Sequence, residues 1–358
     1  MTASGRETGE TLMKARERVT RALRGQPTDR PALAYLFLGG ARHVLTRVGR
    51  PMAEVGRDAK LMAATQATAA GMFGHDSAMI PWGCLTVEAE AFGCGVEHPE
   101  HYYPRVVTRP LEDDPDLSRL AEPDPSRSGR MPVVVEGLAR LRERAGDDLF
   151  ITALVVSPFL VAAELRGMIG LLKDFVADPP YVEALFDRVT AGTTRYIDAI
   201  LATGACDAIL FENAGACREM MGPHHVERYL MPAQRRLIAA ARRAVPEVLL
   251  VEHNCARTPY FDAIQGLDVD AVSFAHGNLG TLRTLRGRER GRPMAWIGNV
   301  DNTRTMLEAT PEEVYCEARA CIESAAGAPF VLSTGCEIPF KAPIDNILAL
   351  SRAVRAGF

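Results

Sequence analysis

His253, Cys255 and Cys336 are the residues of this chain whose types and spacing most directly promise chemistry. His253-Asn254-Cys255 follows the apolar run Val248-Leu249-Leu250-Val251, and Cys336, within Ser333-Thr334-Gly335-Cys336-Glu337, follows Phe330-Val331-Leu332. Polar clusters placed straight after apolar runs read as strand ends, where one imidazole and two thiolates could converge. One nitrogen and two sulfur donors suit zinc, and three protein ligands leave the fourth tetrahedral position open for a substrate. That is the pattern of a catalytic metal, not a structural one. A lone strand-end histidine or a lone buried cysteine is more often simply packed. The combination carries the metal reading.

Other chemistry-bearing residues fall at similar places. Glu212, closing Ala208-Ile209-Leu210-Phe211, could be a fourth ligand, a partner of His253, a substrate handle, or a rim salt bridge. Asn299 and Asp301 could orient a cofactor or substrate, or cap the next helix, since both residue types favour N-cap positions. Glu337 could face the site or start a helix, and Trp82 could line a cavity for a flat cofactor or pack in the core. Nothing in the spacing ties His43 or His276 to the metal. Cys84, Cys94, Cys206, Cys217, Cys316 and Cys321 read as structural, with Cys316 and Cys321 packing from a helix over Pro311 to Ala325.

The elements that must position these side chains alternate. Strand-like runs occupy Ala32 to Phe37, Ser77 to Ile80, Leu149 to Val155, Ala208 to Phe211, Val248 to Val251, Ala271 to Phe274, Met294 to Ile297 and Phe330 to Leu332. Between them lie stretches rich in Ala, Leu, Arg and Glu, including helices over Ala162 to Lys173 and Pro179 to Ile200. Eight βα units predict an α/β fold of the (β/α)8 TIM barrel type, with its chemistry at the C-terminal strand ends. The 358 residues are accommodated as one domain, residues 1–31 forming an N-terminal helical extension. A long polar insertion, Glu97 to Pro132, separates strands 2 and 3; its Pro and Asp clusters favour loop, either a lid or an elaborated connection.

Composition narrows the function classes. A net charge of -4 with 24% charged residues and no basic run argues against nucleic acid as a partner. No apolar segment is long enough to span a bilayer and residues 1–24 lack an export signal, so the expected location is cytoplasmic and the eight cysteines are expected to be reduced thiols.

With these residues in hand, the chain resembles the uroporphyrinogen decarboxylase superfamily, and within it the zinc-dependent methylcorrinoid methyltransferases of the coenzyme M methyltransferase type. The resemblance spans nearly the whole length. The segment Arg18 to Pro31 is similar to the superfamily's N-terminal motif, and Leu85-Thr86-Val87-Glu88-Ala89-Glu90-Ala91-Phe92-Gly93-Cys94 to its segment after strand 2. Ala163-Glu164-Leu165-Arg166-Gly167 and Gly298-Asn299-Val300-Asp301 match as well. The discriminating motifs are Glu252-His253-Asn254-Cys255 and Leu332-Ser333-Thr334-Gly335-Cys336-Glu337-Ile338-Pro339, similar to that branch's HxC and distal Cys ligands.

The resemblance implies a zinc-dependent methyltransferase that moves a methyl group between a cobalamin corrinoid and a small thiol, folate or methylated substrate. The chain has no Asp-x-His-x-x-Gly segment to ligate cobalt, so a separate corrinoid protein, or free methylcobalamin, is the implied partner. The Ala- and Arg-rich composition leans towards a demethylating or folate-linked system. The alternative is a uroporphyrinogen decarboxylase-like lyase acting on a tetrapyrrole. True decarboxylases carry an Arg-Gln-Ala-Gly-Arg type motif after the first strand, whereas this chain reads Leu36-Phe37-Leu38-Gly39-Gly40-Ala41-Arg42-His43.

Overall fold

The structure, a computed structural model, describes residues 12–82, 85–275, 294–325 and 327–356. His276 and Cys84 lie outside these residues. In chain order the strands are β1 (Ala32–Leu33), β2 (Ser77–Ile80), β3 (Gly95–Glu97), β4 (Arg105–Thr108), β5 (Phe150–Val156), β6 (Ala208–Glu212), β7 (Leu249–Asn254), β8 (Ala271–Phe274), β9 (Ala295–Val300) and β10 (Phe330–Thr334). Eight of them form one parallel sheet in the order β1-β10-β9-β8-β7-β6-β5-β2. Its two edges meet: Asp76 N donates to Leu33 O at 2.9 Å and Tyr35 N to Ser77 Oγ at 2.7 Å, closing the ring between β1 and β2. This is the (β/α)8 barrel that the eight apolar runs predicted.

Barrel strands are buried on both faces, which is why they read as continuous apolar runs instead of alternating ones. β5 has all seven residues buried. Inward side chains such as Met79, Phe150, Leu154, Leu210, Val251 and Ile297 fill the barrel, while a second apolar layer lies between the strands and the surrounding helices. The helix Ala15–Leu23 closes the base, adding Val19, Ala22 and Leu23 to the barrel core. Arg18 on that helix is buried and bonds Asp29 at 2.6 Å and Asp76 at 2.8 Å. No helix among the described residues is long and apolar enough to cross a membrane.

Four expectations are corrected. β1 ends at Leu33 and not at Phe37: after Ala34 N bonds Leu332 O, the next amide is captured by the Ser77 hydroxyl, so the ladder stops while the chain stays buried to Leu38. Ala162 to Lys173 is not one helix, because Gly167 (φ 78) separates Pro158–Arg166 from Met168–Ala177. The insertion is not all loop. It holds the antiparallel hairpin β3–β4, a single turn of 3-10 helix at Leu117–Arg119, and Pro132 within the first turn of the helix Met131–Ala145, a position that needs no backbone N–H. Finally, in the helix Pro311–Ser324 Cys321 packs as expected but Cys316 is exposed.

Candidate metal centre

His253 sits on β7 because polar residues can remain in a barrel strand when each finds a partner. Glu252 faces away from the barrel axis and accepts from Asn213 Nδ2 at 2.6 Å and Gln234 Nε2 at 2.9 Å. Burial pushes the Glu252 carboxyl up to about 8 against the pull of those two donors. Asn254 Nδ2 donates to Asn213 O at 2.8 Å, which extends β7 three residues beyond the apolar run. His253, between them, points the opposite way, into the barrel.

Register places Glu212 beside it. Glu212 of β6 pairs with His253 of β7, and directly paired residues of parallel strands share a face. Glu212 Oε2 lies 3.5 Å from His253 Nε2, and its Oε1 lies 4.0 Å from the Cys255 thiol. His253 is 0% exposed and Glu212 3%. Cys255 follows at the end of β7, and Cys336 arrives on the turn after β10, held by a 2.6 Å bond from Thr334 Oγ1 to Cys336 O. The ligating atoms of His253, Cys255 and Cys336 all lie within 4.8 Å of one another. The structure therefore brings together the three residues that sequence spacing singled out, with Glu212 against them.

The electrostatics of this cluster fit a dication. Among the described residues neither ring nitrogen of the buried His253 makes a hydrogen bond, Nε2 facing only the Glu212 carboxyl at 3.5 Å, which is costly unless something ligates one of them. Burial drives the Glu212 carboxyl up to about 8, with the nearby imidazole pulling it back. Burial also opposes charge on His253, but the neighbouring Glu212 and Cys255 outweigh it and raise the imidazole to about 9. The two thiols lie side by side. A hydrogen bond from Cys336 holds Cys255 down, to about 4, and the same bond together with burial pushes Cys336 well above its ordinary value. A divalent cation between two sulfurs and a nitrogen reverses these costs, because it favours the deprotonated form of every ligand.

Around the cluster the structure adds residues that sequence reading missed. The ring of Phe37 meets His253 edge-on at 5.5 Å. Tyr35, Phe37, Thr334 and Ile338 line a narrow gap beside Cys336. Gly39 permits this packing, since a Cβ there would lie 2.3 Å from Ile338 Cβ. Glu337 turns to Tyr103, whose hydroxyl donates to Oε1 at 2.6 Å; burial pushes the Glu337 carboxyl up to about 8, with Tyr103 drawing it down. Phe37 lay at the end of a recognised apolar run and was findable. Tyr103, in a Pro- and Asp-rich insertion, carried no signal.

The remaining candidates are placed differently. Trp82 is 2% exposed and directs its indole N–H to Met52 Sδ at 3.0 Å, so it packs in the core beside the rim. Asp301 lies just before the helix Arg304–Glu308, whose N-cap is Thr303, and its Oδ1 accepts from Thr303 N at 2.9 Å and Arg304 N at 3.0 Å. Asn299 is buried on β9 and donates to Ala275 O at 3.1 Å. The structure thus shows a packing contact for Trp82 and backbone contacts before the next helix for Asp301. His43 bonds Ala342 O at 2.8 Å and stands apart from the cluster.

The chain is similar over nearly its whole length to known proteins. The model of the Uroporphyrinogen decarboxylase (URO-D) family matches residues 14–357. Methylcobamide:CoM methyltransferase MtbA of Methanosarcina mazei is 26% identical over 335 residues, covering 93% of this chain and 95% of that protein. A uroporphyrinogen decarboxylase of Anaeromyxobacter is 25% identical over 357 residues, covering 95% and 98%. A solved methyltransferase from Methanosarcina mazei superposes with a TM-score of 0.84 at 25% identity, over 95% of this chain and 98% of that one.

Proposed function

Because the chain belongs to the uroporphyrinogen decarboxylase family, we propose that it is a zinc-dependent methyltransferase that moves a methyl group between a corrinoid and a small thiol, folate or methylated substrate. The observation that carries this reading is the donor set at the barrel mouth, a buried His253 with the half-buried Cys255 and Cys336. Its relatives support the corrinoid half: the similar Methanosarcina protein is a methylcobamide:CoM methyltransferase. The corrinoid would come to the mouth on a separate protein or free.

When bound at this donor set, zinc would keep an acceptor thiol as its thiolate, or draw charge from the heteroatom that gives up its methyl group. The chain's own residues do the rest. His253, Cys255 and Cys336 would hold the ion, and the Glu212 carboxyl would face it. Phe37 and Ile338 keep bulk water from the ligands, and the apolar barrel core beneath leaves the mouth as the way in.

Metal analysis by mass spectrometry and a cobalamin assay test this directly. Purified protein should carry about one zinc, a Cys336→Ala variant markedly less, and methylcobalamin should lose its methyl spectrum with a thiol or folate acceptor only in the wild type. A wild type without metal, or decarboxylation that survives loss of both cysteines, would sink the reading.

A further inference from the structure

The turn that carries Cys336 is held from several directions. Gly335 N donates to Val300 O at 2.9 Å, Asn302 Nδ2 to Glu337 O at 2.9 Å, and Thr334 Oγ1 to Cys336 O at 2.6 Å. Those bonds come from the barrel strands and their loops. The remaining one does not: Tyr103, in the loop joining β3 to β4, donates its hydroxyl to Glu337 Oε1 at 2.6 Å across 234 positions of sequence. The other carboxyl oxygen, Glu337 Oε2, is buried with no partner among the described residues. The Tyr103 hydroxyl is therefore what fixes the orientation of this side chain.

The loop bearing Tyr103 is itself anchored. Arg105 pairs with Glu97 at 2.7 Å and Gly95 N donates to Thr108 Oγ1 at 3.1 Å, clasping the two strands, while Met52 N donates to Glu100 O at 2.9 Å. Tyr102, beside Tyr103, is 63% exposed and makes no such bond to the turn.

Glu337 is one residue from a sulfur ligand, and a metal site needs its ligands within roughly 0.5 Å of the productive geometry. We propose that Tyr103 is a positioning residue for Cys336, so that the hairpin inserted between β2 and β5 is a working part of the metal centre and not a decorated connection. This inference rests on the metal reading given above. Residues that orient a ligand from behind typically change metal affinity by about 10- to 100-fold when removed.

The test titrates the metal-free full-length protein with Co(II) and follows the ligand-field and thiolate-to-cobalt absorption bands. Tyr103→Phe, which deletes only the hydroxyl, should weaken Co(II) binding at least about 10-fold and shift the thiolate band. Tyr102→Phe should titrate as wild type. Glu337→Gln still offers Tyr103 an acceptor and should stay closer to wild type than Glu337→Leu. Circular dichroism of each variant separates loss of fold from loss of placement. Tyr103→Phe with unchanged affinity and band overturns the proposal alone, whereas a wild type that binds no Co(II) overturns the metal reading and the proposal with it.

Discussion

Glu212 and His253 face each other 3.5 Å apart, both closed off from water, and this makes the carboxyl a group with an electrostatic role instead of a surface ion pair. Glu212→Gln keeps the shape but cannot ionise when a cation binds, so metal affinity should fall about 10-fold while the fold persists, as read by Co(II) titration beside thermal melting. His75 provides a pH test away from the centre. It is buried against Tyr35, with ring centroids 4.1 Å apart, and burial drives its imidazole down to about 3. An unfolded His75 binds its proton near pH 6.5 and the folded one does not until about pH 3, so the contribution is complete above 6.5 and is lost as pH falls through that window. Relative to His75→Leu, the wild type should lose about 2 kcal/mol between pH 7 and pH 5 in urea unfolding.

Among the elements, the short helix Arg304–Glu308 depends on the carboxyl just before it. Asp301→Ala removes the acceptor for the Thr303 and Arg304 amides and should cost about 1 kcal/mol in denaturant unfolding while leaving the Michaelis constant unchanged; a raised Michaelis constant would place Asp301 in the binding site. The elements also show what was legible in the sequence. Strands such as β5 and β6, buried on both faces, announced themselves as apolar runs, and Asp178 with Pro179 marked the start of the helix Pro179–Ala202. His253, Cys255 and Cys336 were legible because donor chemistry stood at predicted strand ends. What stayed hidden depended on tertiary partners: the extension of β7 through Glu252 needs Asn213 and Gln234, the early end of β1 needs Ser77, and the link from Tyr103 to Glu337 spans most of the chain. No local pattern encodes such meetings.

Over the whole molecule, the base and the mouth are built on opposite terms. Arg18 at the base pairs with the buried Asp76 and the more exposed Asp29, and Arg30 also pairs with Asp76, so Arg18→Ala removes one of two guanidinium partners and should destabilise the protein by about 1–3 kcal/mol in chemical unfolding, without moving the Co(II) spectrum of the folded fraction. At the mouth the ligands come from strands that do not touch: His253 and Cys255 belong to β7 and its end, Cys336 to the turn after β10, and β8 and β9 run between them. An ion at that point is a rivet through the barrel wall, joining two staves across the arc between them. Its binding energy adds to the cohesion of the cylinder as RT ln(1 + [L]/Kd), about 4 kcal/mol at a thousandfold excess over Kd. If the proposed ion binds there, a chelator should lower the melting temperature of the wild type and leave that of Cys336→Ala nearly unmoved, because removing the ion would also draw the rivet.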